Sequence, residues 1–251
     1  MSERLQKWLA GQGLGSRRHM EKMIVEGRIT VNGKVAEIGC KVSGDERIAF
    51  NGQLIRQPKY HDFRSKVIVY HKPPGEICSR SDPQGRPTIF DHLPHLAQGR
   101  WIGIGRLDFQ TSGLLLLTND GELANRLMHP SSGLAREYSV RVLGKVDDDL
   151  LAKLRKGTKL DDGYAKFDRV EFTGGEGSNR WYTVVVSEGR NRLVRRLWEE
   201  AGCKVSRLIR IRFGPIRLSR SLRMGKSRFL SAGELNSLYG SVEMSPPAER
   251  E

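Results

Sequence analysis

The chain has 251 residues, 37% of them hydrophobic and 28 of them glycine. This is a globular rather than a disordered composition, long enough for one or two domains with proper cores. Lys and Arg number 43 against 29 acids, a net charge of +14 with a pI of about 10.0. Such an excess points to a polyanionic partner, most commonly nucleic acid. No apolar run approaches the ~18–20 residues of a membrane helix, and the opening MSERLQKWLA lacks the layout of a signal peptide. The cysteines, Cys40, Cys78 and Cys203, are odd in number and far apart. That fits free thiols in a reducing compartment such as the cytoplasm.

Leu5, Trp8 and Leu9 share one helical face. Gly11, Gly13 and Gly15 break that helix. Ser16 is a suitable N-cap for a second helix with apolar positions at Met20, Met23 and Ile24, closed by Gly27. ITVNGKVAEIG and RIAFNGQLI each carry Asn-Gly between apolar runs, the signature of a tight hairpin. The segment from Arg4 to Ala36 resembles an S4 domain, a small RNA-binding module, in its Ser-Arg-Arg helix start and its Gly-Arg-Ile-Thr-Val-Asn-Gly hairpin. The resemblance implies RNA contacts from Arg4, Lys7, Arg17, Arg18, Lys22 and Arg28. Arginines at a helix N-terminus join their charge to free backbone N–H groups, and both suit phosphate.

The polar stretch RQPKYHDFRS, residues 56–65, reads as a linker. The expected division is a first domain with its linker over 1–60, a larger domain over 61–243 and a disordered tail over 244–251. In the larger domain KVIVY, RWIGIG, LLLLT, REYSVRV, DRVEF, RWYTVVV and RLIRIRF are strand candidates. GELANRLM, DDDLLAKLRK and NRLVRRLWEEAG are helix candidates. Strands dominate and several follow one another, so the fold class is α+β with a mainly antiparallel sheet. Alternation in RLIRIRF puts Ile209, Ile211 and Phe213 on one face and Leu208, Arg210 and Arg212 on the other. Residues 190–228 hold thirteen Lys and Arg but only Glu199 and Glu200 as acids. This arginine-rich strip, with Arg192, Arg210 and Arg212 in it, reads as a phosphate-binding face. RSDPQGRPT and LPHLAQGRW are candidate RNA-contacting loops.

Several familiar chemistries lack support. GIGRLD starts like a dinucleotide fingerprint but has no third glycine, and MGKS lacks the first glycine of a phosphate loop. There is no C-x-x-C, and His92 and His95 form an H-x-x-H pair across Pro94 without further ligands. Neither a metal nor a nucleotide cofactor is expected.

YHKPPGEICSRSDPQGRPTIFDHLP, GRLDFQTSGLLLLTNDGELANRLMHP, REYSVRV and SEGRNRLVRRLWEEAG occur in that order. They resemble the successive motifs of the RsuA family of pseudouridine synthases, whose ribosomal RNA enzymes carry an S4 module ahead of the catalytic domain. The resemblance implies site-specific isomerisation of uridine to pseudouridine in ribosomal RNA, on the large-subunit species, without cofactor or membrane, by a cytoplasmic monomer. It also implies roles: Asp108 as the essential carboxylate, Tyr138 as the active-site tyrosine, Arg195 as the cation paired with Asp108, and Arg106 in the loop approaching the RNA. Taken singly, these residues read as a turn former, a strand residue and exposed arginines; their ordered combination carries the reading. The alternative is a non-catalytic S4-type RNA-binding or ribosome-assembly factor, for which the basic surface alone would suffice.

Overall fold

The computed structural model describes residues 2–55, 65–97, 99–177 and 179–247. Most of the expected linker, 56–64, and the last residues, 248–251, lie outside them.

The first domain opens with β1 (Glu3–Arg4), α1 (Leu5–Gly11) and α2 (Arg17–Val25). The Ser16 hydroxyl accepts from the His19 N–H, so the expected cap is in place. Then follow β2 (Ile29–Val31), β3 (Lys34–Val35), β4 (Lys41–Val42), β5 (Ile48–Phe50) and β6 (Gln53–Leu54). Both Asn-Gly pairs turn hairpins with positive φ at each residue: 51° and 81° at Asn32 and Gly33, 51° and 78° at Asn51 and Gly52. These are type I′ angles, which match the twist of the flanking strands. Leu5, Leu9, Met20, Ile24, Ile29 and Ile48 form the core beneath them.

The larger domain is a nine-stranded sheet. Its strands are β7 (Val67–Lys72), β8 (Ile102–Ile104), β9 (Ser112–Thr118), β10 (Arg136–Leu143), and, after a separate hairpin of β11 (Thr158–Leu160) and β12 (Gly163–Ala165), β13 (Arg169–Gly174), β14 (Arg180–Val186), β15 (Lys204–Phe213), β16 (Ile216–Arg217) and β17 (Ser227–Phe229). The spatial order is β13-β14-β10-β15-β9-β7-β17, with β16 on β15 and β8 on β9. Every pairing is antiparallel except β15 with β9. The helices are α3 (Gly121–Met128), α4 (Asp148–Lys156), α5 (Leu193–Glu200) and α6 (Ala232–Gly240).

Apolar clusters cover both faces of the sheet. Leu115 and Leu117 join α4 and α5 on one face, while Leu114 and Leu116 join α3 and α6 on the other. This explains the unbroken leucine run: a strand buried on both faces needs no alternation. Each of the four leucines is fully buried and contributes about 2 kcal/mol. All seven strand candidates and all three helix candidates of the larger domain are present. The short β11, β12, β16 and β17 and the helix α6 were not foreseen. Met244, which the sequence reading gave to the tail, instead packs on the α3–α6 face.

Gly113 is the pivot of the sheet. It faces Lys72 on β7 and Arg210 on β15, and a Cβ there would lie 2.3 Å from the Arg210 carbonyl oxygen. With φ of 108°, the position is open to glycine alone at low cost.

Arg228 on β17 grips Glu234 in the first turn of α6 through two nitrogens, at 2.6 and 2.7 Å. That pairing, aided by Ser231 against the cost of desolvation, holds the Glu234 carboxyl at about 2. A depressed folded pKa adds stability that is complete above pH 4.5 and is lost as the pH falls towards 2. Melts at pH 6 and pH 3 should therefore converge in Glu234→Gln, by no more than about 1 kcal/mol for a partly exposed pair.

Candidate active site

Asp108 stands in the loop between β8 and β9. Gly105, at φ 77°, turns the chain out of β8, and the Thr111 N–H donates to the Asp108 carbonyl at 3.0 Å. The backbone of this loop is held by two cations. The Lys72 ammonium donates to the carbonyls of Pro73 at 2.9 Å, Thr111 at 3.0 Å, Asp108 at 3.3 Å and Phe109 at 3.4 Å. Arg195 donates from Nη2 to the Gln110 carbonyl at 3.4 Å and from Nη1 to the Val205 carbonyl at 3.0 Å. All four carbonyls from Asp108 to Thr111 thus face a positive charge. The Cys78 thiol adds contacts to both the carbonyl and the N–H of Leu107.

Lys72 is fully buried. Burial lowers its pKa, with Cys78, Glu76 and Asp108 opposing. A second buried pair lies beside it: the Tyr70 hydroxyl donates to Glu76 Oε2 at 2.7 Å, and burial and that carboxylate push the phenol above its usual range.

The expected Asp108–Arg195 ion pair is not formed. Among the described residues no cation lies within 4.0 Å of the Asp108 carboxylate. Arg195 is 8% exposed on α5, whose other side packs through Leu193, Val194, Leu197 and Trp198. Burial lowers the Arg195 pKa, Arg192 adds to the effect, and the Asp108 charge works against it. The two groups therefore act on each other through space, while the guanidinium hydrogen-bonds to backbone. The buried position on α5 puts the guanidinium within reach of the Val205 and Gln110 carbonyls instead of the Asp108 carboxylate. Arg195→Lys offers no second nitrogen for those two carbonyls and should lower kcat about 10²-fold with KM little changed, checked by steady-state kinetics.

Asp108 opens into a cavity of about 580 Å³, also lined by Arg106, Tyr138, Arg136, Arg192 and Arg210. Tyr138 on β10 is 9% exposed, sits opposite Arg210, and follows a bulge at Glu137. Arg106 is exposed at the rim.

The arginine-rich strip divides on inspection. Arg210 is 2% exposed and donates from Nε to the Leu114 carbonyl at 2.8 Å, so it belongs to the cavity floor rather than to an outer face. Arg212 lies 2.6 Å from the buried Glu137 carboxylate. Arg192, at φ 49°, caps α5 and pairs with Glu199 at 3.4 Å. Arg190 and Arg196 share Asp162, at 3.0 and 2.8 Å. The partners of Arg212, Arg190 and Arg196 were hidden because Glu137 and Asp162 come from distant segments.

In the first domain Arg4, Arg17 and Arg18 are exposed. Lys7 pairs with Glu3 and Lys22 with Glu26, at 3.5 and 3.7 Å. Arg28 bonds Asn51 at 2.8 Å and lies 5.3 Å from the centre of the Phe50 ring.

Lys72, Cys78 and Arg136 were missed as site residues. For Lys72 the signal was present: Ile68, Tyr70 and Lys72 share the inward face of an otherwise apolar strand. Among the described residues no group of three or more His, Cys, Asp or Glu could hold a metal ion, and no helix is long and apolar enough to cross a membrane.

A cavity that holds Asp108 and is ringed by arginine suits an anionic substrate, and comparison with known proteins gives the class of the enzyme. Residues 66–200 match the RNA pseudouridylate synthase family and residues 3–48 the S4 domain; the chain belongs to the RNA pseudouridylate synthases.

Among its relatives is the ribosomal large subunit pseudouridine synthase B of Pseudomonas aeruginosa, 52% identical over 99% of this chain and 64% of its own length. The proteins of the same name from Haemophilus influenzae and Escherichia coli K12 are 53% and 52% identical, with 70% and 85% of their lengths covered. The crystal structure of a pseudouridylate synthase superposes with a TM-score of 0.65 at 27% identity, covering 94% of this chain and 99% of that one.

Proposed function

We propose that the protein isomerises a specific uridine of large-subunit ribosomal RNA to pseudouridine, working in the cytoplasm as a monomer. The observation that carries this reading is Asp108, set in an arginine-lined cavity with its backbone clamped and its carboxylate left unpaired among the described residues. The names of the three relatives above, all ribosomal large subunit pseudouridine synthase B, support the choice of RNA.

The reaction breaks the N1–C1′ bond of uridine and joins C5 to C1′ of the same ribose. A proton leaves C5 and one is gained at N1, so atoms and electrons balance without redox change. The target nucleotide first leaves its stack, at a cost of a few kcal/mol. Contacts to phosphate by Arg17 and Arg18 in the S4 domain, and by Arg106 at the cavity rim, offset that cost. Asp108 then acts at the nucleoside, as nucleophile or as base. Tyr138 supplies an aromatic wall for the base and a hydroxyl for proton movement. Arg195 and Lys72 hold the loop that carries the carboxylate, through the backbone carbonyls of residues 108–111.

The test uses ribosomal RNA from a strain lacking the gene, with and without the gene restored. Carbodiimide labelling and primer extension should show one large-subunit stop that returns with the gene. Identical patterns in the two strains would contradict the assignment and favour a non-catalytic RNA-binding factor.

A further inference from the structure

The two loops singled out in the sequence, RSDPQGRPT and LPHLAQGRW, bring charge to one place at the edge of the S4 domain. There the backbones touch. A Cβ on Gly13 would sit 2.7 Å from the Gly99 carbonyl oxygen, and one on Gly99 would sit 3.4 Å from the Gly11 carbonyl oxygen. Contact between main chains leaves no side chain to yield, so the first domain is seated on the second at this point.

Three arginines reach this junction from three segments. Arg17 comes from the first turn of α2, Arg80 from the loop after β7, and Arg100 from just ahead of β8. The Arg80 guanidinium lies 4.2 Å from the centre of the Phe90 ring and donates to the Trp101 carbonyl. The Arg100 Nε is buried without a hydrogen-bond partner. Burial lowers the Arg100 pKa, and the charges of Arg80 and then Arg17 push it the same way. Among the described residues none of the three forms an ion pair. Arg86, Arg190, Arg196 and Arg228, by contrast, each hold a carboxylate. Like charges gathered without a counter-ion raise the energy of the ionised state. An anion with several acceptor oxygens relieves that cost, and planar guanidinium donors suit phosphate. Phe90, which carries Arg80, also lines the Asp108 cavity.

We infer that Arg17, Arg80 and Arg100 form a phosphate-binding site at the junction of the two domains, and that its ligand is a backbone phosphodiester of the substrate RNA. The identity of the ligand rests on the proposed function; the convergence of the arginines does not. A phosphate held here fixes the span between the RNA gripped by the S4 domain and the uridine entering the cavity. The site therefore acts on substrate binding, and leaves the bond-breaking steps alone.

Steady-state kinetics and RNA affinity in Arg17→Gln, Arg80→Gln and Arg100→Gln test the site, with Arg155→Gln on α4 as control. Each junction variant should raise KM about 3–10-fold with kcat within about twofold, and should reduce the slope of log Kd against log salt by about 1. Arg155→Gln should change neither. Arg17 is exposed on a helix surface, so its variant keeps the fold even if the Arg100 variant does not, and melting curves establish both. Unchanged KM and salt slope in folded Arg17→Gln and Arg100→Gln would overturn the site, as would a fall in kcat at constant KM. Inorganic phosphate binding that is lost in Arg100→Gln while RNA affinity stays intact would assign the arginines to a free anion and overturn the RNA ligand. If the wild type makes no pseudouridine, the proposed activity fails, yet RNA affinity and its salt slope still decide the junction site.

Discussion

Asp108→Asn is expected to lower the single-turnover rate of pseudouridine formation by roughly a thousandfold or more. The amide matches the carboxylate in shape but cannot serve as nucleophile or base at neutral pH. The loop should not move, because its hold is on the backbone: Lys72 and Arg195 bind the carbonyls from 108 to 111, and neither uses the Asp108 side chain. Affinity for RNA should stay the same or tighten, since a negative charge leaves a cavity lined by Arg106, Arg136, Arg192 and Arg210. Rapid mixing followed by carbodiimide labelling gives the rate, and filter binding gives the affinity. A variant that binds RNA poorly would mean that the carboxylate is structural.

Lys72→Met is the second large effect. The substitution takes the ammonium from the carbonyls of Pro73, Asp108, Phe109 and Thr111; those of Asp108 and Phe109 keep the N–H groups of Thr111 and Gly75, so Pro73 and Thr111 lose the most. Each buried acceptor left unpaired costs about 1–3 kcal/mol, and removing one member of a buried charge network costs about 3–5 kcal/mol. For a chain of this length about 3 kcal/mol corresponds to roughly 6–12 °C in melting temperature. The loop should also relax by about an ångström, enough to cost on the order of 10²-fold in kcat. Calorimetry and steady-state kinetics check the two halves independently. A melting temperature within about 2 °C of wild type, with unchanged kcat, would show that Lys72 does not hold the loop.

These two residues also mark what could be read before the structure. The S4 domain was legible because its signals are local: Ser16 caps its helix, and each Asn-Gly pair supplies the positive φ that its turn requires. The leucine run at 114–117 was read as a strand, and the two apolar clusters show it buried on both faces. Asp108 was singled out by the motif GRLDFQTSGLLLLTND. What held its loop was misjudged, because a sequence pairs charges with charges, whereas here the cations bind carbonyls, which every residue carries. Lys72 was passed over for the same reason. The Arg212–Glu137 pair was illegible for a different reason: Glu137 sits on β10, and only the sheet order brings the two strands together. The helix α6 was overlooked because Gly233 and Gly240 and a weak apolar periodicity mask it, although its Ser231–Glu234 capping box was in plain view.

The most direct measurement is made on purified protein treated with chelator and mixed with unmodified large-subunit ribosomal RNA. Pseudouridine is located by carbodiimide labelling. One modified uridine is expected, formed without added metal or nucleotide, with no change in RNA mass before labelling and no product from Asp108→Asn. No product from the wild type, or equal product from the Asp108 variant, would contradict that expectation.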